Sequence, residues 1–357
     1  MTLRCLDLFE NSIKTKASSI FFNYNLNIFL KWSKLDHESL LELNSEKIED
    51  TLQDYVMYLK RRVRDGELSP NSIADMVLGV FKFLKVNRKK FDKEIITQLY
   101  PERVKPQGDR AITDDEIRQL LEFGSIRDKA IVHLVSATGA RPEAICELKI
   151  KHITKLDDGF TKLILYADDF KHEMVTFLHP EATHALDEFH KWRIEKGEKL
   201  TDESYVISNI QLRNGILIEY MTSSNLQGVM NRLFSKARIK RIKTGRRFDL
   251  ATFTGFRKRF DTKLEMNPDI SQGSIQCFMD HTGYLSGHYR KPTEEELLRE
   301  YKKAVSSLVI SKEWRLKLEL DKSKTEISVV KDKRIEDLES TVNHLEIMLS
   351  QLSKKIL

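Results

Sequence analysis

Two arginines, a histidine and a tyrosine recur in a fixed order over the C-terminal two-thirds of the chain. Arg141 sits in SATGARPEAICEL, Arg257 in FTGFRKRFDTKLE, His281 in FMDHTGYLSGHY, and Tyr289 falls eight residues after that histidine. These types together suit attack of a phenolic oxygen on a phosphodiester. Arginine presents a planar fork of donors that matches two phosphate oxygens and stays charged at any working pH. Tyrosine forms covalent intermediates, but its free pKa of about 10 makes it a weak nucleophile without positive charge nearby. The charge balance, Lys+Arg 60 against Asp+Glu 54, is compatible with a nucleic-acid partner and does not require one.

Each of these residues needs an element to position it. Residues 126–138 are apolar with a helical period, and Gly139 is a C-terminal stop signal. Arg141-Pro142 then opens another helix, where backbone N–H groups also favour an anion. A helix is expected over 254 to about 266 with Phe256, Phe260 and Leu264 facing in and Arg257 off that stripe. LILYA and MVTFL, separated by DDFKHE, predict a β-hairpin over 160–178 with Lys171 near its tip and Lys162 as the competing lysine. Residues 180–196 and 224–238 carry helical stripes, and 197–223 look irregular. The densest basic run, Lys236, Arg238, Lys240, Arg241, Lys243, Arg246 and Arg247, fits a grip on a DNA backbone better than a localisation signal. Three tyrosines compete as nucleophile. Tyr301 shares a core stripe with Leu297, Ala304 and Leu308, on a helix capped by Thr293 and Glu296. Tyr284 is close to His281, and Tyr289 is followed by Arg290 and Pro292-Thr293.

In order and spacing, TGAR, GFRKRFDT and MDHTGYLSGHY resemble the signature boxes of the tyrosine recombinases, the phage-integrase and Xer class. They are most similar to its archaeal integrase branch. The resemblance spans about residues 105–310, and 10–95 by helix pattern alone. It implies a mainly α fold: an N-terminal helical core-binding DNA domain, then a catalytic domain with a small antiparallel β-sheet, the two clamping a duplex as a C. It implies site-specific recombination of double-stranded DNA, with Tyr289 forming a 3′-phosphotyrosyl link and freeing a 5′ hydroxyl. Arg141 and Arg257 would stabilise the phosphorane, Lys171 would protonate the leaving 5′ oxygen, and His281 would hydrogen-bond the phosphate or take the tyrosine proton. No metal, ATP or other cofactor is implied, and four protomers would meet on synapsed DNA. The chain departs from the pattern at three places. Thr254 stands where the family usually carries histidine, Ala144 where it carries glutamate, and Asp280 where it carries glycine. Glu143 or Glu147 is left to orient Arg141. A type IB topoisomerase-like DNA-relaxing enzyme and a non-catalytic DNA-binding protein of the same fold are the other readings.

At 357 residues, two domains and a tail are expected. Residues 1–98 form a helical domain on two stripes, Phe22, Leu26, Phe29, Leu30 and Leu52, Tyr55, Val56, Leu59. Ser69-Pro70 marks the start of a third helix carrying Ile73, Met76, Val77, Val80 and Leu84. Basic residues at helix ends, Arg61, Arg62, Arg64, Lys82, Lys85, Arg88, Lys89 and Lys90, are candidate phosphate contacts. Residues 99–112 carry two prolines and a glycine and are the expected linker. Thr113 to Glu116 make a capping box that opens the catalytic domain, 113–310. The tail, 311–357, is charged and then turns heptad from about 335. Ile335, Val342, Leu349 and Ile356 take a positions, and Leu338, Leu345 and Leu352 take d, a pattern that favours a parallel two-stranded coiled coil. Cys5, Cys146 and Cys277 have no paired spacing, so neither a disulfide frame nor a metal cage is indicated. No apolar run reaches membrane-spanning length and the N-terminus lacks a signal-peptide core, so a soluble cytoplasmic protein is expected.

Overall fold

The computed structural model describes residues 4–104, 109–168, 173–211, 217–244, 247–280 and 292–356. The chain divides into two units, Met1–Gln107 with Lys243–Arg247, and Gly108–Ile242 with Phe248–Leu357. No helix among the described residues is long and apolar enough to cross a membrane.

The first unit is built from α1 (Arg4–Asn11), α2 (Lys16–Ser33), α3 (His37–Glu42), α4 (Ser45–Arg64), α5 (Ser72–Val86) and α6 (Lys93–Thr97). Both expected stripes point inward. Leu26, Phe29 and Leu30 of α2 meet Leu52, Tyr55, Val56 and Leu59 of α4 and Ile73, Val77, Val80 and Leu84 of α5 in one core. The backbones of α2 and α5 come so close at Gly79 that a Cβ there would lie 2.5 Å from the Phe22 carbonyl oxygen. The third helix starts two residues beyond the expected Ser69-Pro70. Ser69 and Pro70 form a turn, with Ser72 N–H donating to the Ser69 carbonyl at 3.0 Å. The Asn71 side chain is turned away from the helix end because it exchanges hydrogen bonds with the Val104 backbone at 2.8 and 3.0 Å.

The second unit includes Arg110 and Ile112, which the sequence placed in the linker. Ile112 is buried and its N–H donates to the Gly255 carbonyl at 3.2 Å. Then come α7 (Asp114–Phe123), α8 (Ile126–Thr138), α9 (Pro142–Glu147), β1 (Ile153–Lys155), β2 (Thr161–Leu165), β3 (Met174–Leu178) and α10 (Pro180–Glu195). After them follow β4 (Asn209–Gln211), β5 (Leu217–Glu219) and α11 (Ser223–Lys236), then β6 (Lys243–Thr244), which is grouped with the first unit, and β7 (Arg247–Phe248), at which the chain returns to the second, with α12 (Thr252–Glu265), α13 (Gln272–Phe278), α14 (Glu294–Leu308) and α15 (Lys312–Ile356). The capping boxes at Thr113 and Thr293 are both formed.

The expected hairpin is β2 and β3, paired with Leu163 opposite Thr176, and β1 joins as a third antiparallel strand with Ile153 opposite Leu163. This sheet has a core on each face. Leu163, Leu165, Met174 and Leu178 pack into one, and Phe177, beside Phe160, packs into the other. Alternation of side chains along a strand lets one short sheet serve both. The segment 197–223, expected to be irregular, contains the β4–β5 pair, in which Ile210 lies opposite Ile218. Strands of three residues are too short to leave a periodic signal.

Helix α8 is the axis of this unit. Every residue from Ala130 to Thr138 is buried, as expected of a helix apolar on all sides. It ends at Gly139, with φ of +60° and its N–H donating to the Val135 carbonyl at 2.8 Å. A Cβ on Gly139 would lie 2.8 Å from Cδ1 of Phe260 in α12. Behind this joint, Tyr301 of α14 is fully buried and donates its hydroxyl to the Ala137 carbonyl at 2.9 Å, the core role its stripe predicted. Arg259 of α12, buried at 2% exposure, pairs with Asp114 at 2.7 Å and donates to the Leu308 carbonyl at 3.1 Å. That one guanidinium ties α12 to the start of α7 and the end of α14. The Glu181 carboxylate accepts from the Ile310 and Ser311 N–H groups, both at 2.8 Å, and fixes the turn into α15.

The tail is one helix of 45 residues from Lys312. Trp314 and Leu318 pack against the core beneath α14. Farther along, Ile335, Leu338 and Val342 are 53%, 58% and 53% exposed, so these heptad residues do not fold back on their own chain.

Gly139→Ala tests the joint. A left-handed alanine costs about 1–2 kcal/mol by conformation alone, and overlap with Phe260 adds to it. Urea denaturation should show a loss at least that large, and an unchanged midpoint would contradict the close packing described.

Candidate active site

Arg141 and Arg257 enter the same space from the two sides of the Gly139 joint. Arg141 is the N-cap residue of α9, three residues past the end of α8, in an extended conformation that its following proline enforces. Arg257 lies on α12 one turn before Phe260, the residue that packs on Gly139. Its guanidinium crosses to the end of α8, donating through Nη1 to the Gly139 carbonyl at 3.1 Å and through Nη2 to the Met279 carbonyl. Arg141 Nη1 donates to Oδ2 of Asp280 at 2.7 Å. Tyr166, at the end of β2 with φ of +54°, accepts a hydrogen bond from Arg141 on its hydroxyl oxygen.

The electrostatics follow from this packing. Burial works to lower the pKa of Arg141, but Asp280 and Tyr166 outweigh it and leave the value raised. Arg257 is lowered, by burial first and then by the like charge of Arg141 beside it. Burial raises the Tyr166 phenol against the pull of Arg141. Both arginines remain charged at any working pH, so the site concentrates positive charge in a half-buried setting. Arg141 keeps its remaining donors, and the pair can hold an oxyanion.

Of the other residues singled out from the sequence, Lys171, Tyr284, His281, Tyr289 and Arg246 lie outside the described residues, as does the side chain of Arg247. Thr254 is exposed on α12 one turn before Arg257. Lys258, the neighbour that could stand in for a missing histidine, is engaged elsewhere, at 2.8 Å from the carboxylate and the carbonyl of Asp109. Lys162 pairs with Glu294 at 2.9 Å in the first turn of α14. Ala144 is fully buried. The carboxylate bonded to Arg141 is that of Asp280, where the sequence offered Glu143 or Glu147. Its signal was present as a carboxylate in a glycine position. Tyr166 left no signal, because LILYA reads as an ordinary strand end.

The basic residues divide by what they touch. Lys85, Arg88 and Lys90 are exposed, and with Lys89, Phe22 and Phe81 they line an open groove of about 600 Å³ in the N-terminal unit. Lys89 Nζ also donates to the Leu43 carbonyl at 3.0 Å. Arg61 and Arg64 are exposed at the end of α4, while Arg62 pairs with Glu67 at 2.9 Å. Lys240 is exposed in the second unit. Arg241 is half-buried there, stacked 5.1 Å from the Phe234 ring centre and 4.4 Å from that of Phe248.

The sequence profile of the phage integrase family matches residues 110–291. No match was found among curated protein sequences. Among solved structures, a variant of the Tn1549 transposon integrase in complex with transposon right end DNA is 14% identical, with a TM-score of 0.55, covering 84% of this chain and 99% of that one. A lambda integrase dimer bound to a COC′ core site is 16% identical, with a TM-score of 0.51, covering 83% and 98%. XerA recombinase is 18% identical with a TM-score of 0.38, covering 84% and 98%. At these identities the first two similarities are similarities of fold, and no argument is built on the third.

Proposed function

The chain belongs to the phage integrase family, the tyrosine recombinases, and on that premise we propose that it is a site-specific DNA recombinase. One observation carries the reading. Arg141 and Arg257, far apart in sequence, converge on one half-buried site through the Gly139 joint. A pair of fixed guanidiniums suits a phosphodiester passing through a phosphorane, where each charged donor aimed at the developing charge is worth a few kcal/mol, about 3 in typical cases.

In this proposal Tyr289 attacks the phosphorus, forming a P–O bond to the phenolic oxygen and breaking the bond to the 5′ oxygen. The product is a 3′-phosphotyrosyl link and a free 5′ hydroxyl. Lys171 gives the leaving oxygen its proton, and His281 hydrogen-bonds the phosphate or accepts the phenolic proton. A 5′ hydroxyl of a partner strand then reverses the step, so the bond energy is conserved in the link and no ATP is required. Residues 113–310 are the catalytic domain and 1–98 the core-binding domain, joined by 99–112, of which Arg110 and Ile112 pack with the catalytic domain. Lys85, Arg88, Lys89 and Lys90 with Arg61, Arg62 and Arg64, and in a second cluster Lys240, Arg241, Arg246 and Arg247, contact DNA phosphates. Within the family, the archaeal Xer-like branch is the proposed placement. The exposed Thr254 favours a second reading, a DNA-binding protein of this fold without cleavage, because a threonine hydroxyl cannot act as a base near pH 7.

The tail is proposed to join protomers. Ile335, Leu338 and Val342 are exposed on a continuous helix, and a stripe of that kind is stable when buried between two chains. In a parallel pair Arg334 at g faces Glu339 at e of the partner helix, which is attractive. An antiparallel pair would bring acidic e positions, Glu339 and Glu346, together. A dimer in solution and a tetramer on synapsed DNA follow.

Two outcomes check these assignments. A pool of nicked duplexes of random sequence, designed so that the cleaved end diffuses away, should yield covalent protein–DNA product with the wild-type chain. Tyr289→Phe should yield none while retaining duplex binding. Covalent product from Tyr289→Phe would refute the assignment, and binding without product in the wild type would select the non-catalytic reading. Removing residues 330–357 should lower the mass found by sedimentation, free or on DNA, and Leu345→Glu should mimic the truncation. Equal masses with and without the tail would refute its role.

A further inference from the structure

Asp280 follows the last turn of α13 with φ of +48°, a left-handed conformation that glycine, asparagine and aspartate tolerate best. Its N–H donates to the Cys277 carbonyl at 3.2 Å, which fixes the turn. The turn serves both arginines. The Met279 carbonyl accepts from Arg257, and the next residue, Asp280, puts its carboxylate on Arg141 at 2.7 Å. The Asp280 side chain is only 11% exposed, against 40% for Arg141. One negative charge is therefore built in beside two positive ones.

We propose that Asp280 is an internal counter-ion of the arginine pair, whose charge an incoming phosphodiester must work against, so that this residue sets how tightly the site holds phosphate. The inference rests on Arg141 and Arg257 being the phosphate-binding pair. The contact uses one Nη of Arg141, and a second donor goes to Tyr166, so the donors left on the five-donor fork can take a phosphate oxygen. A phosphate oxygen on those donors lies close to the carboxylate. Like charges held together in a partly desolvated site repel far more than in water. In the absence of DNA the same carboxylate offsets the repulsion between the two guanidiniums and keeps Arg141 placed. Asp280 is thus a positioning residue whose charge is opposed to substrate.

Asparagine separates charge from position. Asp280→Asn keeps an oxygen acceptor for Arg141 and suits the left-handed backbone, but removes the charge. Asp280→Gly removes the side chain where the backbone needs no Cβ, and serves as a second variant if the first folds poorly. Inorganic phosphate is titrated into the full chain and read at the Nε–Hε resonances of Arg141 and Arg257, each identified through its Arg→Lys variant. Both Asp280 variants should bind phosphate more tightly at both resonances, by about three- to tenfold. Equal or weaker binding in Asp280→Asn overturns the inference, since a residue that acts through position alone would give that result. If phosphate moves neither resonance in the wild type, the phosphate-binding reading itself fails, and the two failures are distinct.

Discussion

The contact between Gly139 and α12 is the constraint on which the site depends. Helix α8 is buried along its length and must end where the chain turns out toward Arg141. Only a residue without Cβ can both adopt the left-handed turn and accept the Phe260 ring at that distance. Once Phe260 is seated, Arg257 one turn earlier faces the α8 terminus, and its guanidinium satisfies the Gly139 carbonyl. The joint is held from behind by Tyr301 on Ala137 and by Arg259 bridging Asp114 and the end of α14. The two arginines of GFRKRF thus divide the work, Arg257 lining the site and Arg259 buried as a strut.

This arrangement explains why the site needs internal carboxylate and phenol partners. Two guanidiniums held near each other are costly in a half-buried setting, and Arg257 is lowered by burial and by Arg141 together. Asp280 and Tyr166 supply the balance on Arg141. The backbone of both partners is left-handed, at +48° and +54°. Non-glycine residues in that region are uncommon, and here both sit directly against the first arginine.

Much of the fold could be read in the sequence because its signals are local. The stripes of α2, α4 and α5, the capping boxes at Thr113 and Thr293 and the stop at Gly139 all depend on residues within a few positions of each other. The core position of Tyr301 followed from its helical stripe. What escaped depends on contacts distant in sequence. The start of α5 was displaced because Val104 claims Asn71. β1 and the β4–β5 pair are three-residue strands defined only by their partners. The sequence offers Glu143 or Glu147, two and six residues on, as the partner of Arg141, and the carboxylate of Asp280, 139 residues away, bonds it. The burial of Arg259 is likewise a product of packing, since nothing in GFRKRF distinguishes it from Lys258.

The central claim is that Arg141 and Arg257 act on one phosphate as a unit. A double-mutant cycle on the rate of covalent capture tests it most directly, with Arg141→Ala, Arg257→Ala and the double variant compared with the wild-type chain on a captured nicked duplex. Residues that stabilise the same developing charge are strongly non-additive. The account predicts that each single variant slows capture by orders of magnitude and that the double variant is little slower than the worse single one. Effects that multiply, agreeing with additivity to within about 0.5 kcal/mol, would mean that the two arginines act separately and would contradict the account.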